Sequence, residues 1–182
     1  MFRIASCVLL LFVFASFSTS TVHATTLEPL SIEELSQRSS TIVHGTVVST
    51  QAKWNEAKTM IFTHVQFEVA DSFRGSAGSQ VEFLVPGGVV DGIRMEIAGT
   101  GTFQKDQESI LFLAPGGTGK LHVNGLTQGR FDVFEDDDGR KQIRGLALDA
   151  IQALSPGGVV ASASADQQSV SLDEFKNGLR KL

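Results

Sequence analysis

Three of the four histidines and one acidic run are the side chains whose types and spacing invite a chemical reading. His44, His64 and His122 lie in three separate segments where apolar and polar residues alternate. Imidazole serves as a general base or a zinc ligand, and zinc takes three or four convergent ligands. No His-Glu-x-x-His pattern occurs, so the three are read as strand-surface histidines and no metal or other cofactor is expected. Glu135-Asp136-Asp137-Asp138 runs into Gly139. A calcium loop ending its first half there would need an acid at Phe134 and a glutamate at Gly145, and neither stands there. The run therefore reads as a solvated turn, with weak calcium binding left open.

Covalent and phosphate chemistry fare no better. Gly116-Gly-Thr-Gly-Lys120 has the end of a phosphate loop, but Ala114 replaces the leading glycine and Leu121 replaces the magnesium-binding hydroxyl. It reads as a hairpin turn. There is no Gly-x-Ser-x-Gly elbow, since Gly75-Ser-Ala-Gly-Ser79 has the wrong spacing. The one cysteine, Cys7, precedes all of these segments. With no set of groups in assignable roles, the chain is expected not to be an enzyme. Recognition surfaces favour Trp and Tyr, and here there is one Trp and no Tyr. Trp54 falls in a loop between two strand-like runs. With the neighbouring Asn55, and with Arg94 in the Gly-rich stretch from Gly87 to Gly101, it marks the candidate binding surface.

The chain opens with Arg3, an apolar run from Ile4 to Phe17, polar residues to Thr21, and then Val22-His23-Ala24 before Thr25. That order is the layout of a cleavable export signal cut between Ala24 and Thr25. The run is short of the roughly 20 residues that span a bilayer, so no membrane span is expected after cleavage. A secreted or periplasmic protein is implied. Of 15 Lys and Arg residues Arg3 leaves with the signal, so 14 face 20 acids, a net charge of −6. An acidic surface repels phosphate backbones and anionic lipid heads, so nucleic acid is not an expected partner. Cleavage also removes Cys7, leaving the core to supply all stability without a disulfide.

Ser31-Ile-Glu-Glu34 has the form of a capping box opening a helix over Ile32 to Arg38, with Leu30 as a staple. From Thr41 the period becomes two. Strands are expected over Ile42–Thr50, Ile61–Ala70, Val81–Val85, Arg94–Ala98, Ile110–Leu113, Leu121–Leu126, Arg130–Glu135 and Gln142–Arg144. Ile110–Leu113 is apolar at both parities, as expected of a strand covered on both faces. Pro-Gly-Gly at Pro86, Pro115 and Pro156 suits type II turns. A second capping box, Ser171-Leu-Asp-Glu174, opens a terminal helix whose Leu172, Phe175 and Leu179 share one face.

Short strands at this spacing, with almost no helix between them, imply an all-β fold: an antiparallel OB-like barrel or a small sandwich. The expected organisation is a signal over residues 1–24, a helical lead-in over 25–40 and the barrel over 41–154. A Ser/Ala/Gly linker over 155–170 and the C-terminal helix over 171–182 follow.

Three stretches also carry a resemblance: Ser40-Thr-Ile-Val-His-Gly-Thr-Val-Val-Ser49, Phe67-Glu-Val-Ala-Asp-Ser-Phe-Arg-Gly75 and Phe103-Gln-Lys-Asp-Gln-Glu-Ser-Ile-Leu-Phe-Leu113. In that order they resemble a group of uncharacterised exported bacterial proteins. They are more distantly similar to netrin-type modules, the OB-like barrels of tissue metalloproteinase inhibitors. The resemblance covers about Thr41 to Phe134 and implies the barrel. Those inhibitors grip zinc through an N-terminal cysteine, which a chain beginning at Thr25 lacks. The expected function is thus that of an exported, non-catalytic module binding a protein or envelope partner. A protease inhibitor acting through a loop and a hydrolase with an unrecognised carboxylate pair are the alternatives.

Overall fold

The computed structural model describes residues 30–145 and 170–182. The expected signal, its Ala24–Thr25 cleavage point and the linker up to Ser169 lie outside them. The chain runs α1 (Ile32–Arg38), β1 (Thr41–Trp54), β2 (Ile61–Arg74), β3 (Gln80–Pro86), β4 (Gly88–Val90), β5 (Ile93–Met95) and β6 (Glu108–Pro115). It continues through β7 (Leu121–Val123), β8 (Arg130–Glu135), β9 (Lys141–Arg144), β10 (Val170–Ser171) and α2 (Leu172–Leu179).

Strands β1, β2, β3, β7 and β6 pair in that order, and β6 pairs back onto β1 to close a five-stranded OB-like barrel. Four of its pairings are antiparallel, as expected; β3 and β7 run parallel. The chain leaves β3 through the β4–β5 hairpin and a long segment, then crosses to β6, so β7 returns in the direction of β3. Register shifts in β1 at Ile42/Val43, His44/Gly45 and Val47/Ser49 bend that strand. The bends let one strand pair with β2 on one edge and β6 on the other, which closure requires.

The sequence builds two apolar cores. Inside the barrel, Val43, Val47, Val65, Phe67, Phe83, Val85, Leu111 and Leu113 are buried together. Phe83 lies edge-on to Phe67 at 6.2 Å and to Phe103 at 5.0 Å, an arrangement that suits the ring quadrupole. Outside the barrel a second core joins Ile42, Ile110 and Phe112 to Phe131, Ile143 and both helices. This explains why β6 is apolar at both parities: Leu111 and Leu113 face one core, Ile110 and Phe112 the other.

Helix α1 begins as its sequence implies. The Ser31 hydroxyl accepts from the Glu34 N–H, and the Glu34 carboxylate accepts from the Ser31 N–H. Helix α2 docks Leu172, Phe175 and Leu179 on the second core. Its expected capping box does not form, because Ser171 is paired with Gln142 as part of β10 and makes no side-chain cap.

Candidate functional site

At one end of the barrel the chain leaves β3 through Pro86-Gly87-Gly88. Gly87 and Gly88 adopt φ of 102° and 139°, a region that disfavours other residues. A Cβ at Gly88 would also stand 2.8 Å from the Ala52 Cβ and 2.7 Å from the Thr63 Oγ1. Glycine thus lets the β4–β5 hairpin lie directly over β1 and β2. Two hydrogen bonds hold it there: the Gly87 N–H donates to the Ile61 carbonyl at 2.9 Å, and the Thr63 hydroxyl donates to the Gly87 carbonyl at 2.8 Å. At its tip Asp91 and Gly92 both have positive φ, as a two-residue hairpin of matching twist demands. Val89 and Ile93, 49% and 52% exposed, are two of the few large apolar side chains that the described residues leave in solvent.

Between this hairpin and the barrel lies a trough of about 650 Å³, lined by Thr50, Ala52, Thr63, Met95, Ile97 and Ala98 among others. A second cavity of about 340 Å³ adjoins it, lined by Leu84, His122, Val123 and Leu126. Val85, Pro86, Thr100, Gly101 and Phe103 belong to both. Arg130 borders the smaller cavity, stacked 4.3 Å over the Phe103 ring. Its guanidinium donates twice to Asp132, at 2.7 and 2.9 Å, and to the Thr102 carbonyl at 2.6 Å. The arginine therefore fixes the wall as a rigid surface, charge-neutralised by its own partner.

Of the residues singled out in the sequence, Arg94 lines the trough, exposed and 3.2 Å from Glu96. Trp54 and Asn55 do not line it. Trp54 is half-buried as the last residue of β1, opposite Ile61. Asn55 builds the turn: its Oδ1 accepts from the N–H groups of Thr59 at 2.8 Å and Met60 at 3.1 Å. Phe103 and His122 were missed as site residues, and Met95 was included only as part of the Gly87–Gly101 stretch. Phe103 carried only a strand-like pattern, and nothing local marks a Met or a strand histidine as lining a cavity.

A separate polar cluster lies at the edge of the second core. His44, read as a surface histidine, is buried, because the β2 and β6 neighbours and α2 cover that end of β1. Its Nε2 is 2.8 Å from Glu108 Oε1 and its Nδ1 is 3.4 Å from Asp71 Oδ2. Each carboxylate also meets a lysine: Glu108 takes Lys141 at 2.7 Å and Asp71 takes Lys176 of α2 at 2.6 Å. Neither carboxylate lines the trough or its neighbour.

Both acids are held below the usual carboxylate range. For Asp71 the chief cause is the hydrogen bond from Lys176. For Glu108, burial pushes upward, and hydrogen bonds from Lys141 and His44 outweigh it. Folded values below unfolded ones mean stability present at neutral pH and lost on acidification. Between about pH 5 and pH 3 the urea midpoint is expected to fall, most steeply below about pH 4, with a shallower fall in Lys176→Met. A midpoint flat to pH 3 would contradict this pairing.

The acidic run is spent on its own turn. Asp136 accepts from the N–H groups of Asp138 and Arg140 and from the side chains of Arg140 and Gln142. The Gly116–Lys120 segment is the β6–β7 turn, closed by the Gly116 N–H donating to the Lys120 carbonyl at 2.8 Å. No group of three or more metal-ligating side chains converges among the described residues. No helix among them is long and apolar enough to cross a membrane. No family model, curated protein or solved structure matches the chain.

Proposed function

We propose that this chain is an exported, non-catalytic binding module whose ligand seats in the trough under the β4–β5 hairpin. One observation carries the reading: two adjoining cavities at one end of a closed barrel share a wall made by Val85, Pro86, Thr100, Gly101 and Phe103. Their volumes fall in the span of roughly 300–1,000 Å³ typical of small-ligand sites. Apolar side chains supply most of the surface, and Arg94 and Glu96, paired at 3.2 Å, put one charge of each sign at its edge. A largely apolar ligand matches that lining.

Equilibrium dialysis of anilinonaphthalene sulfonate, an apolar anion, tests this. Ala98 is exposed and lines the trough, so Ala98→Trp fills it without touching either core. Binding by the parent chain and at least about tenfold weaker binding by Ala98→Trp is the expected result. Equal uptake by both, or loss only in Trp54→Ala, would move the site away from the trough.

The protruding hairpin favours a second reading, inhibition of an exported protease. Val89 and Ile93 stand exposed beside a tight turn, the form of a segment that enters a cleft. Residual activity of exported metalloproteases after incubation with the protein separates the two readings.

A further inference from the structure

We propose that the charge on His44 sets how firmly α2 is held on the barrel, making the row Lys141–Glu108–His44–Asp71–Lys176 a proton-operated latch. The inference is independent of the trough. It rests on a ring buried between two carboxylates, with only 7% of its side chain exposed.

A neutral imidazole has one N–H and one lone pair. With the proton on Nε2, that nitrogen donates to Glu108 at 2.8 Å, and Nδ1 turns its lone pair toward Asp71 Oδ2 at 3.4 Å. With the proton on Nδ1, the lone pair meets Glu108 instead, at the shorter distance. Either way a lone pair faces a carboxylate oxygen. The doubly protonated ring can donate to both, and charges then alternate along the whole row. Burial keeps water from relieving the mismatch, and Nδ1 has no hydrogen-bond partner among the described residues.

The groups facing the ring are few. Asp71 comes from β2 and Glu108 from β6; behind them stand Lys141 of β9, Lys176 of α2 and Arg180 at the C-cap of α2. Glu108 is anchored within the sheet by Lys141. Asp71, with 36% of its side chain exposed, has room to turn, and its other partners belong to α2: Lys176 at 2.6 Å and Arg180 at 3.9 Å. Repulsion at Nδ1 is therefore passed to the ion pairs that hold α2. What remains to α2 is its apolar face.

Amide exchange and ring shifts, followed by NMR across about pH 5 to 8.5, test the latch. Protection of the α2 amides, corrected for intrinsic exchange, is expected to drop on the order of tenfold as the His44 ring deprotonates. The drop should share the ring's own midpoint, while the β6 amides hold. In His44→Gln the α2 amides should show no such step. Constant α2 protection through the His44 titration, or the same step in His44→Gln, would overturn the proposal. Should His44→Gln fail to fold, Lys176→Met keeps the ring and both carboxylates. There the ring should still titrate while the α2 step shrinks to what the 3.9 Å Arg180 pair can carry; an α2 step of undiminished size refutes the latch equally.

Discussion

Phe131→Ala is expected to lower the unfolding free energy by about 4 kcal/mol, the middle of the range for a buried phenylalanine. Urea unfolding followed by far-UV circular dichroism measures it. Phe131 is fully buried and stands between two other rings, 5.6 Å from Phe112 of the barrel wall and 4.9 Å from Phe175 of α2. Truncation removes the apolar burial and leaves a cavity bounded by a strand on one side and a helix on the other. β6 is pinned in the closed barrel, so it cannot collapse into that space. α2 can shift, which makes its loosening the first consequence. A loss below about 1.5 kcal/mol would show that the second core contributes little and that α2 is held chiefly by its ion pairs.

Gly45→Ala is expected to cost about 3 kcal/mol, through overpacking and not through a cavity. Gly45 follows a register shift in β1, where that strand bends against β2. A Cβ there would collide with the Glu68 carbonyl oxygen and lie 2.9 Å from the Phe67 ring. One obstacle is backbone and the other is a fully buried ring, so neither yields as a flexible side chain would. Gly78→Ala is the matched control, since a Cβ at that position meets nothing within 4 Å. Comparable urea midpoints for the two variants would mean that β1 and β2 can part at the bend without loss.

The strands and the barrel were legible because alternation, turn glycines and the doubly apolar β6 are local signals. Helix α1 was legible for the same reason, its cap being written within four residues, Ser31 to Glu34. The matching letters at Ser171 and Glu174 misled because tertiary pairing won: β9 claims Ser171 before the helix can use it. The parallel β3–β7 seam was not visible, since strand direction depends on where the chain crosses the barrel. Of the candidate surface, Arg94 and other residues of the Gly87–Gly101 stretch line the trough. Trp54 and Asn55 sit at the β1–β2 tip and line neither cavity, and their letters carry no sign of distance from one. His44 could not have been recognised from spacing. Its two carboxylates lie 27 and 64 positions away, and only sheet register brings them together.

The lone tryptophan has a spectroscopic consequence. With no tyrosine in the chain, the intrinsic emission of the folded protein is a single-site readout of the β1–β2 tip, where Trp54 sits. It is blind by position to the helices packed on the far wall. Emission and ellipticity traces that coincide on denaturation would therefore establish that tip and wall melt as one cooperative unit.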